Sequence, residues 1–346
     1  MNYFLRHAVV DGVPIKVQPI EEWEAAGWCP VDVVVDESME LPVEQQGFVL
    51  GYNHELNKSG YGTEDLFLSP RLAGAVWHTM SSILRPGDGV AIQGCERPWA
   101  RAIRAAAAMR HARPLFIEPF CLKMPDEDMP WLISTLPILG NALDESIVSK
   151  LILHDSMDPE YDQWLAGNST KYDQARARKL SLEAFGAYER RNSETFDTFF
   201  VGQIYRDSAY LLVEKPWGSV VDACITEAIA NPNKRYVYKP HVFCQEFARE
   251  HEEANLQLIA DLGNVSILFD DIHDIAVLSR EICVVSSSVG LERGLRGDMV
   301  RWLSNHPYSR IDTNSHEARW RAFSFFRAMT ATNVEQKRDL IKRMLR

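Results

Sequence analysis

The 346-residue sequence is short of several things at once. No apolar run reaches membrane-spanning length, and no basic-then-apolar leader opens the chain, so the expectation is a cytoplasmic protein without a secretory signal. The six cysteines (Cys29, Cys95, Cys121, Cys224, Cys244 and Cys283) include no Cys-x-x-Cys pair. They write neither a disulfide frame nor a zinc site, and read as buried thiols of a reducing compartment. Positive charge is also scarce: 37 Lys and Arg stand against 48 Asp and Glu, a net −11, which argues against a broad nucleic-acid-binding surface. Missing too are the P-loop, GxGxxG, HExxH and GxSxG patterns, so the ordinary kinase, dehydrogenase, metalloprotease and hydrolase templates fail. There is no solenoid-period repeat and no low-complexity tract.

What is present is an ordinary globular composition, 46% hydrophobic and 25% charged, at a length that accommodates two domains with cores of their own. Val31–Val35, Phe48–Leu50, Val90–Ile92 and Pro114–Ile117 read as short strands. The Ala-rich stretch Arg97–Arg110 reads as a helix. Residues 156–194 are polar, include the expected helix Lys171–Arg190, and read as a surface segment leading into a second domain. From there strands and helices alternate: strands at Thr198–Gly202, Arg235–Lys239, Val265–Phe269, Ile282–Val285 and Met299–Leu303, with helices at Ser219–Ala230, Gln245–Leu262, Ile272–Ser279 and Gly290–Arg296. Such βα units predict an α/β fold with a parallel, doubly wound sheet. The expected organisation is two Rossmann-like domains facing across a cleft. Residues 1–194 form the N-terminal domain, 195–312 the nucleotide-sugar domain, and 313–346 are helices returning to the first. The basic residues of that last stretch (Arg319, Arg321, Arg327, Lys337, Arg338, Lys342, Arg343 and Arg346) read as a solvated helix face, or as a contact with an anionic membrane surface.

The candidate chemistry sits at strand ends. Ile282–Val285 empties into Ser286, Ser287 and Ser288 before a helix containing Gly290 and Glu292. Free N–H groups, a positive helix end and hydroxyls there make an anion cradle, suited to a nucleotide or sugar nucleotide. Simple capping would use only one of the three serines. Glu292 can accept from ribose hydroxyls or merely favour the helix end. Lys239-Pro240-His241 ends another strand and offers a phosphate partner. Gln203 to Ser208 ends a third, where Asp207 reads as nucleophile or base, or else as a helix cap or a partner of Arg206. In the first half, Glu118 follows a buried strand as a candidate acid or base, with a surface turn as the plainer reading. Gly94 ends the Val90 strand in a tight turn that would let substrate approach. His306, after the last strand, is a further candidate.

In this order the motifs resemble those of the bacterial retaining β-Kdo transferases of capsule and lipopolysaccharide assembly, which use CMP-Kdo. The carriers are Ile92-Gln93-Gly94, Glu118-Pro119-Phe120, Gln203 with Asp207 four residues on, Lys239-Pro240-His241, and Ser287-Ser288-Val289-Gly290-Leu291-Glu292. They span roughly residues 88–310. The resemblance implies a GT-B fold and no metal or other cofactor, CMP being held by the C-terminal domain and the acceptor being a surface glycan or glycolipid. By carry-over Asp207 is the nucleophile, Glu118 and Gln203 assist, and His241 with Ser287 and Ser288 holds the CMP phosphate. Val242, Cys121 and the segment Ser304 to Tyr308 depart from the family pattern. The alternatives are a transferase using CMP-sialic acid or a UDP- or GDP-sugar, and a non-catalytic glycan- or partner-binding member.

Overall fold

A computed structural model describes the chain apart from residues 19–22, 25–26, 37–38, 59–68, 94–96, 126, 136–157, 168–172, 205–209, 211–212, 214–215, 242–248 and 346, and gives only the backbone course of 51–58. The chain folds into two compact units: 1–120 with 128–144 and 328–346, and 121–127 with 145–327.

The first unit opens on β1 (Asn2–Val10), which turns into β2 (Val13–Lys16) through Asp11-Gly12. Both turn residues have positive φ, 52° and 80°, as a two-residue hairpin whose twist matches its strands requires. Next come β3 (Cys29–Val34), α1 (Val43–Lys58), α2 (Pro70–Ile83), β4 (Gly89–Gln93), α3 (Pro98–Arg110), β5 (Arg113–Pro119) and β6 (Trp131–Ser134). The seven-stranded sheet runs from the C-terminal strand Thr330–Ala331 through β6, β5 and β4 to β1. β1 pairs in parallel with β3 and β4, and β4 with β5, while β1–β2, β5–β6 and the C-terminal strand with β6 are antiparallel. The alanines of α3 let α2 pack closely on one face, around Val76, Met80, Ala102, Ile103 and Ala106. Trp23, Trp28 and Leu340 and Ile341 of the C-terminal helix Val334–Met344 cover the other.

Two expectations change here. Phe48–Leu50 is not a strand; it lies inside α1, burying Val49 and leaving Phe48 40% exposed. A three-residue apolar run carries no period of its own, so the longer helix around it decides. The sheet is also mixed at its edges: β2 follows β1 after a two-residue turn, which allows only an antiparallel return, and at the other edge β6 and the C-terminal strand pair antiparallel.

The second unit contains α4 (Glu160–Ala166), α5 (Gln174–Phe185), β7 (Phe196–Val201), α6 (Val220–Ala230), β8 (Tyr236–Lys239), α7 (Arg249–Ala260), β9 (Val265–Ile267), α8 (Ile272–Val277), β10 (Ser279–Val284), α9 (Ser288–Arg296), β11 (Val300–Trp302) and α10 (His316–Arg327). Five parallel strands lie in the order β11-β10-β7-β8-β9. Their near-continuous apolar sequences are those of strands covered on both faces. One face is packed by α5, α6 and α7 around Phe200, Tyr236, Tyr238, Cys224 and Leu256. On the other, α8 and α9 pack around Phe199, Val201, Ile275, Ile282 and Val284.

The segment 145–194 groups with this unit, and 156–194 is not merely surface. Tyr161 and Trp164 of α4 are fully buried, stacked among Trp320 and Phe323 of α10. Of the expected returning helices, α10 stays with the second unit and only 328–346 joins the first. Of the basic residues in 313–346, Arg327 and Lys337 turn inward and Arg319 and Arg321 are hydrogen-bonded, while Arg338, Lys342 and Arg343 lie exposed on the last helix, the expected solvated face. Arg327 forks onto Glu127 at 2.9 and 2.8 Å and reaches Glu160 at 2.9 Å. Lys337, 5% exposed, lies 5.1 Å from the Trp131 ring centroid. Among the described residues no helix is long and apolar enough to cross a membrane.

Candidate site at the switch point of the second sheet

Strand order fixes where a ligand can sit. From β7 the chain steps outward to β8 and β9, then jumps back across to β10 on the other side of β7 and continues to β11. The reversal opens a crevice beyond the carboxyl ends of β7 and β10, the place where open α/β sheets take their ligands. The crossover from β7 to α6 runs over one face and that from β10 to α9 over the other, so the two helix starts flank this crevice.

The three serines after β10 have three different surroundings. Ser286 is buried, and its hydroxyl accepts from Gln203 Nε2 at 3.0 Å. Ser287 is the N-cap of α9, its Oγ accepting from Val289 N at 3.3 Å. Ser288 begins the helix half-exposed. Gln203, just past β7, also accepts from the backbone N–H of Val285 at 3.0 Å and of Ser286 at 2.8 Å. Its carboxamide thus straps the end of β7 to the β10–α9 loop. Expected as a catalytic residue, Gln203 spends both ends of its amide on this strap. Val289 N donates to Ser287 Oγ and Gly290 N to Ser287 O at 3.0 Å, so the donors left at the start of α9 are Ser288 N and the hydroxyls of Ser287 and Ser288.

Gly290 serves packing rather than a ligand. A β-carbon there would lie 2.6 Å from Val284 Cγ2 and 2.7 Å from the Trp302 ring, so only glycine lets α9 close on the sheet. Glu292 does not reach toward a ribose. It is 4% exposed beneath α9, 3.7 Å from Arg296 Nε and 3.4 Å from His273 Nε2. Burial pushes its carboxyl up to about 7, against the lowering pull of Arg296 and Arg293. His273 in turn meets Arg293 Nη1 at Nδ1, 2.6 Å away, and Arg293 Nε pairs with Asp298 at 2.5 Å.

His306 is likewise withdrawn: 1% exposed, it stacks on Trp302 with ring centroids 5.7 Å apart and caps the short 3-10 helix Pro307–Arg310. Burial lowers its imidazole to about 4, so the ring stays neutral, its Nδ1 accepting from Tyr308 N at 3.3 Å. Lys239 is buried, Nζ donating to Phe269 O at 3.3 Å, while His241 follows it half-buried at the carboxyl edge. In the first unit Glu118 is half-buried near the end of β5, opposite Leu132 of β6. Asp207, Ser208 and Gly94 lie outside the described residues.

Two features of this edge are not evident as candidates in the sequence. Glu252, in the first turn of α7, is buried and accepts from Tyr238 Oη at 2.8 Å. Desolvation raises it to about 7, against hydrogen bonds from Tyr238 and Asn255. Trp217 stands in the β7–α6 loop, 38% exposed. A signal for it does exist: Pro216-Trp217-Gly218-Ser219 is a turn followed by an N-cap.

Fold and site together define an α/β protein whose second unit is an open, doubly wound parallel sheet with a switch point between β7 and β10. No family model matches the chain, and no curated protein does. Among solved structures it is similar to Thermosulfurimonas dismutans KpsC, β-Kdo 2,7 transferase (13% identity, 79% of this chain and 89% of that one, TM-score 0.45). It is also similar to the β-Kdo 2,4 transferase of the same KpsC (15%, 68% and 78%, 0.43) and to UDP-GlcNAc 2-epimerase from Neisseria meningitidis (9%, 100% and 94%, 0.33).

Proposed function

We propose that the chain is a glycosyltransferase that moves Kdo, or a related ulosonic acid, from its CMP donor to a bacterial surface glycan or lipid-linked acceptor. The observation that carries the proposal is the seat at the switch point. Ser287 and Ser288 stand at the start of α9, on a loop that Gln203 holds in place. Such a seat takes a phosphate without a metal, through a backbone N–H, hydroxyls and the positive helix end. The order of strand-end motifs, with their resemblance to the β-Kdo transferases, supplies the donor.

On this reading Asp207 attacks the anomeric carbon and CMP departs with the bonding electrons, its phosphate charge met by the α9 seat. An acceptor hydroxyl then displaces Asp207, giving its proton to a base for which Glu118 is the candidate. Two inversions give net retention. His241, at the carboxyl edge beside β8, is a second phosphate partner.

Nucleotide choice tests the donor. CMP at a hundredfold excess over its Kd is expected to stabilise the protein by about 2.7 kcal/mol, with UDP and GDP leaving the unfolding temperature nearly unchanged. A larger shift with UDP or GDP would replace the donor. No shift with any nucleotide would favour a non-catalytic, glycan- or partner-binding role.

A further inference from the structure

Eight of the nine tryptophans are buried or half-buried, and Trp217 alone is exposed. Its backbone is held firmly. Ser219 N donates to Trp217 O at 2.8 Å around Gly218, whose φ is 73°. Tyr210 Oη donates to Gly218 O at 3.4 Å, and Ser219 caps α6 through Asp222 N at 2.9 Å while donating to Asp222 Oδ2 at 2.7 Å. The indole itself makes no ring contact, cation–π contact or hydrogen bond with the described residues. The turn at Trp217–Ser219 is thus tied to α6, while Trp217 keeps 38% of its surface exposed.

Position gives that exposure a use. Trp217 leaves the carboxyl edge from β7, and the Ser287–Ser288 seat leaves it from β10, the strand paired to β7. Trp217 stands two residues before the N-cap of α6 and Ser287 is the N-cap of α9; the two helices follow paired strands and cover opposite faces of the sheet, so both helix starts lie at its carboxyl edge. A ligand whose phosphate rests on the start of α9 and whose remainder crosses the crevice arrives on the α6 side.

We infer that Trp217 is the stacking platform of this site, taking the flat face of a ring in the nucleotide-sugar donor. This rests on the CMP-donor reading above. An indole offers a broad apolar face, with few rotatable bonds to immobilise, together with an N–H for a ring hydroxyl or carbonyl. The pyrimidine and the pyranose both present such a face, and the ligands tested separate them.

Calorimetric titration of CMP and of CMP-Kdo into the wild type, Trp217→Ala and Trp217→Phe is the test, with unfolding temperatures recorded for all three. Loss of a base or sugar stack is expected to weaken binding about 5- to 100-fold in Trp217→Ala, with Trp217→Phe within about threefold of wild type. Weakening for CMP assigns the pyrimidine. Weakening for CMP-Kdo with CMP unchanged assigns the sugar. Unchanged affinity for both in Trp217→Ala, with the wild type binding CMP, overturns the stacking role and leaves the seat standing. A wild type that binds neither ligand overturns both.

Discussion

Glu252 and Glu292 are buried carboxyls on the two helices that follow β8 and β10, each held by desolvation to about 7 against an ordinary 4.5. In the unfolded chain both protons leave near pH 4.5; in the fold they stay until about pH 7. The fold therefore has its full advantage from these groups below about pH 4.5 and loses it as pH rises to 7. His306 works in the opposite sense. Its folded value near 4 lies below the ordinary 6.5, so its contribution is lost as pH falls from 6.5 to 4. Urea midpoints measured from pH 5 to 7.5 are expected to show Glu252→Gln gaining on wild type as pH rises. Parallel curves for the two proteins would show that Glu252 ionises normally. Of these residues only Glu292 and His306 stand out in the sequence, both as ligand groups. Burial is a property of the packed sheet, and nothing in Glu-Arg or His-Pro spacing records it.

At the scale of elements, the Gln203 strap makes the serine loop a fixed structure. Val285 N, Ser286 N and Ser286 Oγ all meet one carboxamide. Gln203→Ala leaves two N–H groups without their acceptor, at a cost of about 1–3 kcal/mol. The loop should loosen, so CMP affinity is expected to fall along with the urea midpoint. An unchanged affinity would mean that the seat is held by α9 alone. The elements around it are legible because their strands are apolar, their helices are longer, and Ser219 and Ser287 stand where caps belong. Legibility is poorer in the first unit. The Asp11-Gly12 hairpin escapes a reading that weighs apolar runs alone, and part of α1 imitates a strand. The strap itself cannot be read from sequence. It joins residues more than 80 positions apart, and only the β7–β10 pairing brings them together.

At the scale of the whole chain, the unit boundary at 145 rather than 194 has a packing cause. α4 carries Tyr161 and Trp164 into an aromatic cluster with α10, and Tyr161 Oη donates to Leu295 O at 2.7 Å at the end of α9. Polar composition around 156–194 hides those two anchors. Arg296, at the far end of α9, lies 4.1 Å from the Trp164 ring centroid and donates to the carbonyls of Leu165 and Gly167 at 3.2 and 2.8 Å. The helix that starts at the proposed phosphate seat is thereby anchored at both ends within one unit. The central claim is covalent catalysis on a CMP donor, and the mass of the intact protein tests it most directly. After incubation with CMP-Kdo generated in place and no acceptor, the wild type is expected to gain the mass of one Kdo residue, and Asp207→Asn to gain none. A wild type that binds CMP yet keeps its mass, or an adduct that persists in Asp207→Asn, would contradict covalent catalysis through Asp207.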